Sequence, residues 1–201
     1  MSDNAIKGFT VYKDVMLQQH EKFDVYFKKF LEDEQFENIV EVGAGTGCLT
    51  RFIREHSNPV KMSTYNLPPI FLKPVLTGLG VKVVEKDTFV EKGTPNYMKD
   101  IDSEIKSDII GSLKTLVLCD GGNKLFEFKQ CAPLLKPGDF IMAHDFCRSR
   151  DLFTEEYKKT VWGWCELTEK DIEPTCIENN LVDYEKLNFN DIVWTCKYKR
   201  A

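Results

Sequence analysis

The spacing of apolar residues changes along the chain. Val15, Phe23, Tyr26, Phe27, Phe30 and Leu31 recur at mixed three- and four-residue steps, which predicts an amphipathic helix over 15–31. Asn38-Ile-Val-Glu-Val42 is a short strand running straight into glycines, and 49–56 is a helix ended by Ser57-Asn-Pro59. Further strands are expected at 60–65, 81–84, 113–119 and 140–143, with helices at 69–79, 101–110, 125–135 and around 153–164. Segments 184–189 and 191–198 close the pattern as a strand pair. The near-continuous apolar run over 113–119 suits a strand buried on both faces of a parallel sheet. Strands alternating with helices specify an α/β fold: a doubly wound, mostly parallel, Rossmann-like sheet with a C-terminal antiparallel hairpin. No repeat or linker interrupts it, so 1–201 reads as a single domain, with residues 1–35 a helical N-terminal cap.

Composition narrows the class. At 201 residues and 42% hydrophobic, the chain is long enough to bury a sizeable core. A net charge of -5 lacks the basic surplus of a nucleic-acid binder. No apolar run approaches the roughly 20 residues of a membrane span. Met1-Ser-Asp-Asn has no signal-peptide layout. The seven cysteines are scattered and form no C-x-x-C, so reduced thiols and a cytoplasmic location are expected, rather than a zinc or disulfide framework.

In doubly wound sheets, ligands bind beyond the carboxyl ends of the strands. Glu41 to Gly47, Asp87, Asp120, His144 and Asp145 all fall there. The glycines of Gly43-x-Gly45-x-Gly47 permit a sharp turn and close approach of a ligand to the backbone, and the helix that follows offers N–H groups to its polar end. A plain tight turn is the alternative. The spacing is not G-x-G-x-x-G, which counts against a nicotinamide-dependent oxidoreductase without removing that reading, and no Lys-Ser/Thr follows, which argues against nucleotide hydrolysis. Carboxylates at Asp120 and Asp145 suit a hard cation held through oxygen, and a ligating His144 extends the choice to softer ions. Alternatively, His144 is a satisfied strand-end residue and Asp145 a helix N-cap. Asn123 and Lys124 either contact a substrate or simply start a helix. Trp162 and Trp164 line an acceptor pocket or pack a helix.

Glu41-x-Gly43-x-Gly45-x-Gly47 after the first strand resembles the first motif of class I S-adenosylmethionine (SAM)-dependent methyltransferases. The resemblance implies that Glu41, Gly43, Ala44, Gly45 and Gly47 surround the methionine part of SAM. Asn66 then stands where the family usually carries an acid for the ribose. Asp87 stands near the adenine, or else N-caps the segment after it, and Asp120 also contacts the cofactor. The stretch Cys119-Asp-Gly-Gly-Asn-Lys124, with Leu135-Lys-Pro-Gly-Asp-Phe-Ile-Met-Ala-His-Asp145, is similar to metal-dependent O-methyltransferases, in particular the rhamnosyl O-methyltransferase and cephalosporin hydroxylase branch. That implies Mg²⁺ or Mn²⁺ on Asp120, His144 and Asp145, with His144 and Asp145 catalytic. The expected partner is a small molecule or sugar bearing a hydroxyl; a second copy of the chain stays open. The rival readings are a metal-independent methyltransferase acting on a protein or small molecule, and a non-catalytic SAM-fold binding protein.

Overall fold

The computed structural model describes residues 10–86 and 101–201. It opens with a hairpin of β1 (Thr10–Tyr12) and β2 (Val15–Leu17). Lys13 and Asp14 form its two-residue turn, both at positive φ, as tight hairpin turns of the right twist require. Helix α1 (Phe23–Glu34) follows. The helix expected from Val15 therefore starts eight residues later, and residues 10–34 form a hairpin followed by a helix. Val15 and Leu17 share one face of a strand, with exposed Met16 on the other, and the spacing of Val15 to Phe23 only mimics a helical period.

The main sheet is built from β3 (Asn38–Val42), β4 (Lys61–Asn66), β5 (Lys82–Glu85), β6 (Thr115–Cys119) and β7 (Phe140–His144). Helices α2 (Cys48–His56), α3 (Lys73–Gly78), α4 (Ser103–Ile109) and α5 (Lys124–Cys131) pack on its faces. A two-stranded parallel ribbon, β8 (Phe146–Cys147) with β9 (Leu167–Thr168), flanks a helical excursion of α6 (Arg150–Leu152), a π-turn (Phe153–Tyr157) and α7 (Lys158–Thr160). Then come α8 (Glu169–Glu178), β10 (Leu181–Asp183) and β11 (Trp194–Lys199). The seven strands run in the order β10-β11-β7-β6-β3-β4-β5. β7, β6, β3, β4 and β5 are parallel, and β11 enters antiparallel between β7 and β10.

The alternation of side chains across each strand explains the burial. Ile39, Leu116, Leu118 and Met142 face one core with Phe27, Phe30, Phe52 and Trp194. Val40, Val117, Cys119 and Ile141 face the other with Ile105, Phe128 and Ile172. β3, β6 and β7 are buried along their whole length, as their apolar runs require.

The C-terminal pair differs from expectation in its first member. β11 pairs with Leu181–Asp183 rather than with 184–189. Tyr184 and Phe189 are instead buried against α1, and Phe189–Ile192 is a 3-10 turn. Helix α8 was not foreseen. Pro174 lies inside it and masks the helical pattern, although the capping box of Thr168 and Asp171 marks its start. No helix among the described residues is long and apolar enough to cross a membrane.

Candidate functional site

From β3 the chain runs outward to β4 and β5, then returns to add β6 and β7 on the other side. The loops after β3 and β6 diverge at this reversal, and such points carry ligand sites. A cavity of about 350 Å³ opens there, lined by the loop after β3, Asp120 and Gly121 after β6, and His144 and Asp145 at the end of β7. Residues 16–19 of the N-terminal segment complete it, with Trp164 and Glu166. The volume lies within the range of small-ligand sites.

The three loop glycines serve three purposes. Gly43 has φ +97°, and a Cβ there would lie 2.2 Å from the backbone of Asp120 and Gly121. It lets the two loops touch. Gly47, at φ +88°, faces Leu76, Leu72 and Ile70, with a Cβ only 2.9 Å from the Leu76 side chain. Gly45, at φ +52°, has nothing within 4 Å on its Cβ side. It is the glycine of the three whose open face leaves room for a ligand.

Glu41 is fully buried and does not line the cavity. Its Oε2 accepts hydrogen bonds from the Thr50 and Thr64 hydroxyls, and its Oε1 has no partner among the described residues. Burial pushes its carboxyl up to about 7, against those two hydroxyl bonds. It braces the loop from beneath. Asn66 also stays off the cavity lining, its amide donating to the Leu67 carbonyl at 2.6 Å. Asp87 lies outside the described residues.

Asp120, His144 and Asp145 do come together. Asp120 Oδ1 lies 2.9 Å from His144 Nδ1, and its Oδ2 accepts from Gln19 Nε2 at 3.0 Å. Gln19 Oε1 in turn accepts from Trp194 Nε1 at 2.8 Å. His144 is buried, stacked on Trp194 at 4.9 Å and met edge-on by Trp162 at 5.1 Å. An Nδ1–H donated to Asp120 leaves Nε2 as the basic nitrogen, and Nε2, itself buried, has no partner among the described residues. Asp145, at φ +57°, accepts from Trp162 Nε1 at 2.6 Å and pairs with Lys124 Nζ at 2.9 Å. Burial opposes its ionisation, yet His144 and Lys124 hold its carboxyl below the usual range. It caps no helix; Ser149 caps the one that follows. Asn123 is the N-cap of α5, accepting from Phe126 N–H at 3.1 Å. Beside it, Glu127 is buried and accepts the Gly121 and Asn123 N–H groups at 3.1 and 3.2 Å. Its burial pushes the carboxyl up to about 7.

These residues do not fit a divalent ion. Among the described residues, no group of three or more His, Cys, Asp or Glu side chains is arranged to hold a metal. The Lys124 ammonium lies 2.9 Å from Asp145 and 4.0 Å from Asp120. An ion shared by those aspartates would meet a like charge at about 4 Å, costing roughly 8 kcal/mol for a divalent ion at an effective dielectric of 20. The expected Mg²⁺ or Mn²⁺ on Asp120, His144 and Asp145 therefore finds no support in these contacts. Gln19 and Glu166 are site residues that the local sequence did not mark.

No family model matches the chain, and no curated protein matches it in sequence. Solved structures do resemble it. An O-methyltransferase family protein from Burkholderia thailandensis superposes with a TM-score of 0.59 at 10% identity, over 90% of this chain and 56% of that one. The protein PigF, solved with SAH, gives 0.57 at 15% identity over 90% and 55%. Human N-acetylserotonin methyltransferase, solved with SAM, gives 0.52 at 12% over 89% and 52%. The chain thus spans little more than half the length of each. The fold they share with it is the class I methyltransferase fold.

Proposed function

We propose that the chain is a SAM-dependent O-methyltransferase acting on a hydroxyl of a small molecule, with His144 as general base and without a divalent ion. The observation that carries the proposal is the Asp120–His144 contact at adjacent strand ends, beside the glycine loop. The loop fits the methionine end of SAM, because Gly45 is open where Gly43 and Gly47 are packed. When bound, SAM supplies the reactive methyl group.

The chain's own residues then have distinct tasks. Nε2 of His144 takes the proton of the acceptor hydroxyl, and Asp120 orients the ring and stabilises the imidazolium that forms. Trp194 and Trp162 fix the ring plane and keep water from it. Gln19 holds Asp120 in place from the N-terminal segment.

Calorimetric titration with SAM and S-adenosylhomocysteine, followed by methyl-transfer assays on phenols and sugars with and without EDTA, tests this. Binding followed by EDTA-resistant turnover is expected. No heat with either ligand would sink it. A non-catalytic binding protein is the second reading, favoured by Asn66, a neutral side chain turned to Leu67 where the family carries a ribose acid. Tight SAM binding with no turnover of any acceptor would select it.

A further inference from the structure

The cavity beside the glycine loop is unevenly charged. Among the described residues that line it, three are carboxylates, Asp120, Asp145 and Glu166, and one is an ammonium, Lys124. Lys124 Nζ lies 2.9 Å from Asp145, 3.1 Å from Glu166 and 4.0 Å from Asp120, so one cation is shared among three acids. With His144 neutral, two negative charges stand in excess, and a cleft lined by one sign of charge concentrates ligands of the other. The acids also form a row. Asp120 follows β6, beside the glycine loop after β3, and Asp145 follows β7, one strand further out. The Glu166 N–H donates to the Asp145 carbonyl at 2.9 Å, and Arg150 donates to the Glu166 carbonyl at 2.9 Å, which fixes Glu166 on the Asp145 side of the cavity. Asp145 and Lys124 are buried there, whereas the Glu166 side chain is 36% exposed. Two residues before it, Trp164 lines the same cavity, packed on Trp162 at 5.3 Å and 38% exposed. A half-open carboxylate next to an open indole suits an organic ammonium, the first through charge-assisted hydrogen bonds and the second through its π face.

We infer that the methyl acceptor is a small phenol carrying a protonated amine, and that Glu166 and Trp164 select it. The inference rests on the methyl-transfer reading for the reaction and on the cavity's own charge for the substrate class. SAM has one net positive charge, which offsets one of the two excess negative charges; an ammonium on the acceptor offsets the other. The hydroxyl proton passes to Nε2 of His144 as the methyl group exchanges its bond to sulfur for one to the acceptor oxygen, so the total charge in the cavity is the same before and after transfer. The amine held by Glu166 keeps its proton. Its lone pair is thereby occupied, and the hydroxyl oxygen is left as the nucleophile. Size agrees with this: about 350 Å³ is at the low end of small-ligand sites, and an acceptor that shares it with SAM has room for a single ring. Met16 and Leu17 add apolar surface for that ring.

The test titrates three phenols of similar size into the full chain by calorimetry at neutral pH, with and without S-adenosylhomocysteine: tyramine, para-ethylphenol and para-hydroxyphenylacetate. Tyramine, the ammonium, should bind about tenfold or more tighter than the neutral ethylphenol, and the carboxylate should bind weakest. Added salt should narrow the gap, because Glu166 is partly exposed and screened. Glu166→Gln should bring tyramine and ethylphenol within about threefold of each other. Trp164→Leu should weaken tyramine more than ethylphenol. If Glu166→Gln does not fold, Glu166→Ala takes its place, with the same levelling expected. Equal affinities in the wild type, tightest binding of the carboxylate, no binding of tyramine, or a preference that survives in a folded Glu166 variant overturns the inference. Failure of S-adenosylhomocysteine to bind removes the methyl-transfer reading, whereas the comparison of the three phenols without it still decides the preference for a cation.

Discussion

Substituting Gly43 tests why the loop carries glycines at all. In Gly43→Ala the new Cβ would lie 2.2 Å from the Asp120 carbonyl carbon and the Gly121 nitrogen, and 2.3 Å from the Asp120 oxygen. All three are backbone atoms that no rotamer change can move. The φ of +97° adds a conformational cost of about 1–2 kcal/mol for a residue with a side chain. Overpacking adds about 1–3 kcal/mol as the two loops part. The sum, about 2–5 kcal/mol, is a large share of the 5–15 kcal/mol typical of a domain. For a chain of this length it lowers Tm by roughly 10 °C. Gly45→Ala is the contrast: its Cβ meets nothing within 4 Å, so only the conformational cost of about 1–2 kcal/mol applies, at φ +52°. Its methyl group enters the open face and should weaken S-adenosylhomocysteine binding about tenfold or more. Urea unfolding measures the first effect and calorimetry the second. If Gly43→Ala unfolds within about 0.5 kcal/mol of wild type, the close crossing of the loops is refuted. Unchanged ligand affinity in Gly45→Ala refutes the assignment of the open face to a ligand.

His144→Gln should lower methyl transfer about 10²- to 10⁴-fold while leaving SAM affinity nearly unchanged; an equal loss in both, by single-turnover kinetics and calorimetry, would contradict a proton-transfer role. Gln19→Ala strands the Trp194 indole N–H and Asp120 Oδ2, costing about 2–4 kcal/mol in urea midpoint analysis; a neutral effect would mean the bridge does not form. Glu41 and Glu127, both with carboxyls pushed up to about 7, hold protons more tightly folded than unfolded. Their stabilisation is complete below about pH 4.5 and is lost as pH rises through 7, about 3 kcal/mol for each. Glu41→Gln should therefore flatten the fall in stability between pH 5 and pH 8, and an unchanged pH profile would be the contrary result.

The sheet was legible because each strand carries its own evidence. Asn38–Val42 and Thr115–Cys119 are short apolar runs that end at glycines, and a parallel sheet buries such runs on both faces. The N-terminal hairpin was not legible. Lys13-Asp14 lacks the glycine that usually marks such a turn, and Val15 falls in step with α1. At the C-terminus, Tyr184 and Phe189 have the composition of a strand but are spent on packing against Phe30. At the cavity, the strand ends bring Asp120, His144 and Asp145 together, because topology does so whatever their chemistry. The contacts of Lys124 were hidden, because one of them is with Glu166, 42 residues away and on no motif.

Gln19 has a consequence for how the cavity comes to be closed. Its amide joins Asp120, 101 residues on, to Trp194, 175 residues on. Contacts over such separations close large loops and form slowly relative to local structure. The central strands can pair before β11 inserts beside β7, but the cavity gains its N-terminal wall only when both distant segments have arrived. If the proposed SAM site is correct, binding should be the last property to return on refolding from urea, after the secondary structure. Its recovery marks the moment when the chain is complete rather than merely compact.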